Sequence, residues 1–292
     1  MALEAVFNGL IAGSIYALIA LGFAVIYRTV RFFHFAHGGV YAVGAYVGYS
    51  VVIGAGAPPL VGFFLAAVAA GLVGVAVDQL VYRPLRRRKA SNLIYLIASF
   101  GVFILIQNVI QILYGAQILS IRTGPVKVGH DVLGTIITDT QIVIMAVSIA
   151  LLAGLWLFLQ RTRLGTAMRA VADDPLGADI VGINPERIVI VAFFIGSMLA
   201  GAAGMLVSYE TNLEPTMGFN AMLKAIVASI IGGVGSIPGA VLGGFLLGIV
   251  ENLGIWKISA GWKDTIAFAL LIFFLLAWPS GILGRRVTGE RV

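Results

Sequence analysis

Few side chains in this sequence can do chemistry, so each one set in an apolar surrounding carries weight. His34 and His37 stand three residues apart and could reach one metal ion from a single helical face. No cysteine or carboxylate lies near them, and Phe33 and Phe35 interleave them, so a structural pair is expected and no metal ligand is assigned. His130 stands alone. Glu251, followed by Asn252, falls deep in an apolar stretch, where an ionisable residue is a functional candidate by default. It is expected either to line a solute pathway or to face another helix. Asp78 precedes Arg83 by little more than one turn and is expected to reach toward it. A proton-coupled carrier needs several buried ionisable groups, and only Glu251 reads as deep, which weakens secondary transport.

Other chemistries lack their motifs. There is no G-x-x-x-x-G-K-[ST] loop to hold nucleotide phosphates, and the glycines at 232–239 lack the lysine. Neither H-E-x-x-H nor G-x-S-x-G occurs, so no catalytic residue is assigned. With no cysteine in the chain, disulfides and thiolate chemistry are excluded. No basic patch is interleaved with aromatics, so no nucleic-acid partner is expected.

The elements that must position these residues are membrane helices. Of 292 residues 60% are hydrophobic and 11% charged, and the 19 Lys and Arg fall largely between apolar runs of spanning length. Spans are expected near 5–27, 37–55, 60–82, 92–114, 140–160 and 188–208, then a compound region at 222–254 and a last span at 263–283. Glu4 and the lack of an N-terminal basic cluster predict that the first run stays as a helix and is not cleaved. The fold class is all-α: one transmembrane domain over 1–292, a bundle of about eight or nine membrane segments.

Charge sets the expected orientation. Arg28 and Arg31, the cluster from Arg83 to Lys89, the Arg161 to Arg187 interval, and Arg285, Arg286 and Arg291 alternate with base-poor loops, where 115–139 holds only Arg122 and Lys127. The N-terminus is therefore expected outside, with the basic loops and C-terminus in the cytoplasm of a bacterial inner membrane. An odd number of crossings follows, so 222–254 must cross twice or form a re-entrant hairpin. The break there is Gly-rich, I-G-G-V-G-S-I-P-G at 231–239, and at membrane depth it should lie inside the bundle. Small residues at four-residue spacing (Gly9/Gly13, Gly44/Gly48, Gly196/Ala200/Gly204, Gly239/Gly243, Gly244/Gly248) allow close helix approach, within one subunit or against a second.

The most explicit punctuation lies at 161–187. Asp174-Pro175 reads as an N-cap and first helical position, Gly182 as the stop, and Asn184-Pro185 opens the next run. Leu164 to Ala172 reads as a preceding short helix with Arg169 on its polar side. Leu176, Ile180 and Ile183 are spaced to share one face. Such a helix suits docking into a groove on a soluble partner, and equally an ordinary loop helix packed on its own bundle.

Several blocks resemble the LivH-type permeases, the membrane subunits of bacterial branched-chain amino-acid ABC importers. They are G-T-A-M-R-A-V-A-D-D-P-L-G-A-D-I-V-G-I-N at 165–184 and A-F-F-I-G-S-M-L-A-G-A-A-G at 192–204. G-S-I-Y-A-L-I-A-L-G at 13–22, F-A-H-G at 35–38, V-Y-R-P-L-R at 81–86, G-G-V-G-S-I-P-G-A-V-L-G-G at 232–244 and P-S-G-I-L-G-R at 279–285 join them. They keep family order over nearly the whole chain, and the related sugar-permease family fits them less well. Two positions depart from the family pattern: His34, where Asn or a similar polar residue is usual, and Gly39, where Glu is common.

The resemblance implies a permease that pairs with a second, similar permease, two cytoplasmic ATPase subunits and a periplasmic solute-binding protein. ATP-Mg would be used by the ATPases, with no cofactor on this chain. It makes the 172–184 helix the coupling element, with Leu176, Ile180 and Ile183 as the apolar grip and Arg169, Asp173, Asp174 and Asp179 setting polar contacts. Gly235, Ser236, Pro238 and Glu251 are the pathway candidates. Branched-chain or similar hydrophobic amino acids are the expected solute; urea, short amides or another small solute are the same-class alternative. A stand-alone transporter or channel is the different-class one.

Overall fold

The computed structural model describes residues 2–122, 129–132, 135–256 and 258–284. Lys127 and the tail residues Arg285, Arg286 and Arg291 lie outside the described residues. Among the described residues the helices are α1 (Ala2–Val30), α2 (Ala36–Tyr49), α3 (Pro59–Val77), α4 (Arg83–Arg87), α5 (Asn92–Tyr114), α6 (Asp139–Arg161), α7 (Arg163–Asp173), α8 (Pro175–Ile180), α9 (Pro185–Glu210), α10 (Met217–Gly232), α11 (Ile237–Gly254) and α12 (Lys263–Ala277). Seven segments are long and apolar enough to cross a membrane. The 16-residue α10 and α2, prolonged by the π turn Ser50–Gly54, complete a polytopic all-α bundle.

Burial orders the bundle from inside outward. In its most apolar stretch α1 is 83% buried, whereas the last segment, Ala260–Ala277, is 11% buried. α1 is therefore the axis and α12 lies at the rim. The large exposed side chains of α5, α6 and α12, such as Ile97, Leu105, Trp156 and Leu276, face outward as a hydrocarbon solvent requires.

Glycine sets how closely the inner helices pack. A Cβ on Gly44 would fall 2.3 Å from the Cα of Gly201, so α2 and α9 meet backbone to backbone. On the other side of α1, a Cβ on Gly244 would lie 2.4 Å from Ala17, and one on Gly248 as near to Gly13. The small-residue pairs read in the sequence thus build the interior of this one chain, through dispersion contacts and close carbonyl approach.

The glycine-rich break departs from its expected depth. Residues 233–236 form the turn of a helical hairpin between α10 and α11, beside the ends of α1 and α7. Gly233 (φ 109°) and Gly235 (φ 81°) adopt backbone that side chains disfavour, and the Ser236 hydroxyl caps α11 by accepting from Gly239 N at 3.2 Å. The open carbonyls at the end of α10 find donors in the C-terminal segment: Ile282 N donates to Ile231 O and Leu283 N to Gly232 O, both at 2.9 Å. The break is a tied-down corner at one end of the bundle, so its backbone needs no shelter at mid-depth.

A short antiparallel hairpin, β1 (His130–Val132) with β2 (Thr135–Ile137), covers the opposite end and has no counterpart among the elements expected from the sequence. His130 Nε2 lies 2.7 Å from Asp139 there.

Candidate functional site

The corner between α6 and α9 holds the capped stretch. Thr162 caps α7, accepting from Gly165 N at 3.0 Å, and Asn184 caps α9, accepting from Arg187 N at 3.2 Å. Asp174 caps α8, accepting from Leu176 N at 3.0 Å, and Gly182 (φ 87°) ends it in the left-handed region. The whole corner is thus fixed by its own backbone donors. Buried Met168, Val171, Ala172 and Ala178 seat it on the bundle.

That seating leaves Leu176 78% and Ile180 86% exposed, and Val181 joins them at 73%. Ile183 does not: it turns inward and packs on the core, so the expected three-residue stripe is Leu176, Ile180 and Val181 instead. The cause is Gly182, whose positive φ reverses the chain before Ile183 can continue the helical face. Val181 escapes a helical-period reading because it lies beyond the last helical residue. Asp179 is exposed. Asp173, expected to set contacts with a partner, accepts a hydrogen bond from Arg28 of α1 at 3.1 Å, while Arg31 donates to Ala172 O at 2.9 Å. Arg169 is likewise held within the corner, by Gln160 at 2.6 Å and Thr166 at 3.3 Å.

Two cavities enter the bundle from opposite ends along α1. One, of about 580 Å³, lies beside the coupling corner and is lined by Tyr27, Arg31, Asp173, Gly235, Ser236 and Pro238. The other, of about 750 Å³, opens where α1 begins and reaches from Asn8 to Ile19. At 1.5 Å per residue that is a depth of about 16 Å, roughly half a bilayer core. Between them lie Leu21, Phe23 and Val25, all buried.

The larger cavity ends at a polar group that the sequence reading did not assemble. Lys224 Nζ lies 2.5 Å from Glu251 Oε1 and 2.9 Å from Asp264 Oδ1, and Tyr16 donates its hydroxyl hydrogen to Glu251 Oε2 at 3.0 Å. Four elements, α10, α11, α12 and α1, meet in this cluster. Glu251 therefore has its matching base, and it sits behind Lys224, which lines the cavity itself. The spacing of 27 residues gives no periodic signal that would join the two.

Asp78 is fully buried, and its partner is Arg86, not Arg83: Nη1 and Nη2 donate to the two carboxylate oxygens at 2.6 and 3.2 Å. Arg83 donates instead to Gln79 at 2.7 Å. The two buried histidines serve separate contacts. His34 Nδ1 meets the Tyr82 hydroxyl at 2.9 Å, and His37 Nε2 meets Ile19 O at 3.2 Å.

Known proteins align with this arrangement from end to end. The permease protein LivH of a high-affinity branched-chain amino acid transport system in Escherichia coli is 38% identical, over 97% of this chain and 96% of its own length. The corresponding BraD permease of Pseudomonas aeruginosa is 39% identical over 97% and 96%. Among solved structures, PsaBC from Streptococcus pneumoniae in complex with Fab superposes with a TM-score of 0.54, covering 94% of this chain and 91% of that one. At 11% identity this is a likeness of fold alone. Residues 5–275 match the family model for the permease component of branched-chain amino acid transport systems, and the chain belongs to that family.

Proposed function

We propose that this chain is the membrane-spanning permease of an ABC importer, carrying branched-chain or similar apolar amino acids inward with energy from separate ATPase subunits. The observation that carries the reading is α8. It is a rigidly capped helix between two long helices, with Leu176, Ile180 and Val181 offered to solvent in a family whose relatives are transport-system permeases. An ATPase groove that covers these side chains gains their burial, about 1.5–3 kcal/mol for each fully buried one. In this reading the N-terminus is outside and the corner with the basic segments is cytoplasmic; the cluster from Arg83 to Lys89 supports it. Closure of two ATPases on ATP-Mg pulls α8, and the capped joints pass the movement to α6 and α9 as rigid rods. A second permease and a periplasmic solute-binding protein complete the assembly, and the binding protein delivers solute at the outer end.

The test is uptake by the complete transporter in proteoliposomes. Labelled leucine should accumulate uphill only with ATP at the ATPases and binding protein outside. Uphill accumulation by this chain alone would overturn the reading.

A further inference from the structure

The outer cavity offers more than a passage. Its wall is aliphatic at Ile11, Ile15 and Val207, and it carries fixed charges of both signs: Lys224 and Lys263 against Glu210 and Glu214. A free cation is repelled by the first pair and a free anion by the second. A zwitterion with an apolar side chain meets complementary groups on every side. About 750 Å³ is ample for one such molecule. The cavity is also a dead end, closed beneath by buried Leu21, Phe23 and Val25, so a solute entering it must stop.

Lys224 is built to receive a carboxylate. An ammonium has three donors, and Glu251 and Asp264 accept two of them. No acceptor for the third is found among the described residues; Nζ lies 5.9 Å from the centroid of the Tyr16 ring, which also lines the cavity. Glu251 and Asp264 fix the position of Nζ from behind, so little rotamer entropy is lost when a ligand arrives.

We propose that this cavity is a transit site for one apolar amino acid, its carboxylate held by Lys224 and its ammonium turned toward Glu210 and Glu214. The inference rests on the reading of the chain as an amino-acid permease, and goes beyond it by placing a solute stop inside this subunit. Lys224 is here a binding residue, with Glu251 and Asp264 as its positioning residues.

The absence of native cysteine permits a direct test. Ala221→Cys places a single thiol in the cavity wall, and Ala55→Cys places one on the exposed loop between α2 and α3. Both are treated with an anionic methanethiosulfonate reagent in the complete transporter. Millimolar leucine should slow labelling at 221 about fivefold or more and leave 55 unchanged. Leucinamide, which lacks the carboxylate, should protect poorly. Lys224→Met should abolish protection by leucine, and Lys224→Arg should keep it. Equal protection by leucine and leucinamide on the native Lys224 background overturns the proposal, whether or not the Lys224→Met chain folds. So does no protection, or protection at 55 as well. ATP-driven uptake in the same preparation separates the two levels: uptake without protection leaves the permease reading standing and removes the site. No uptake of leucine, isoleucine or valine removes both.

Discussion

Arg86 grips Asp78 with both guanidinium branches, at 2.6 and 3.2 Å, although eight residues separate them. On an undisturbed α-helix that spacing leaves two side chains about 80° apart around the axis. The π turn Asp78–Tyr82 widens the winding between them and returns Arg86 to the face of Asp78. The same guanidinium donates to Glu186 at 3.1 and 3.0 Å, tying the end of α3 to the first turn of α9.

Arg86→Met leaves a fully buried carboxylate without its counter-charge. The expected cost is about 3–5 kcal/mol. Thermal unfolding in detergent should show it, and the double variant Arg86→Met, Asp78→Asn should recover much of the loss. Equal destabilisation of single and double variants would mean the pair is not what holds Asp78.

The Arg28–Asp173 pair joins α1 to the end of α7 in partly exposed surroundings. An ion pair of that kind contributes about 0–1 kcal/mol to stability. Asp173→Asn should therefore unfold at nearly the native temperature and retain its ATPase subunits. It should transport less solute per ATP hydrolysed, because α1 no longer follows the corner. A native ratio of uptake to hydrolysis would count against the link.

Backbone contact at Gly44 leaves no room for a side chain, since a Cβ there would meet Gly201 at 2.3 Å. Gly44→Leu should separate α2 from α9 and give little monodisperse protein by size-exclusion chromatography. Gly101→Ala, at a position with open space around it, should behave as wild type. A well-folded Gly44→Leu chain would show that the α2–α9 contact tolerates opening.

Local signals are legible in the sequence and register is not. Asp174, Pro175, Gly182 and Asn184 each act through the backbone beside them, so α8 and its boundaries can be read without the fold. Lys224 and Glu251 become neighbours only once the turn at 233–236 fixes how α10 and α11 lie against each other. Matching Asp78 to Arg83 assumes helical spacing through a segment that winds as a π turn. Ile183 fits the 3.6-residue period on paper, and a single left-handed glycine removes it from the face. Length and composition are enough to find the long spans, yet α2 and α10 are short enough that their ends need the structure.

The most direct measurement uses one engineered thiol at the docking helix. Ile180→Cys, in the otherwise cysteine-free chain, is combined with single cysteines along the proposed groove of the ATPase subunit and oxidised in intact membranes. The account predicts a disulfide-linked permease–ATPase band whose yield changes when ATP is added, with no labelling of the engineered thiol by an impermeant reagent applied outside the cell. Outside labelling at position 180, or the absence of any crosslink from it in a complex that still transports leucine, would contradict the account at its centre.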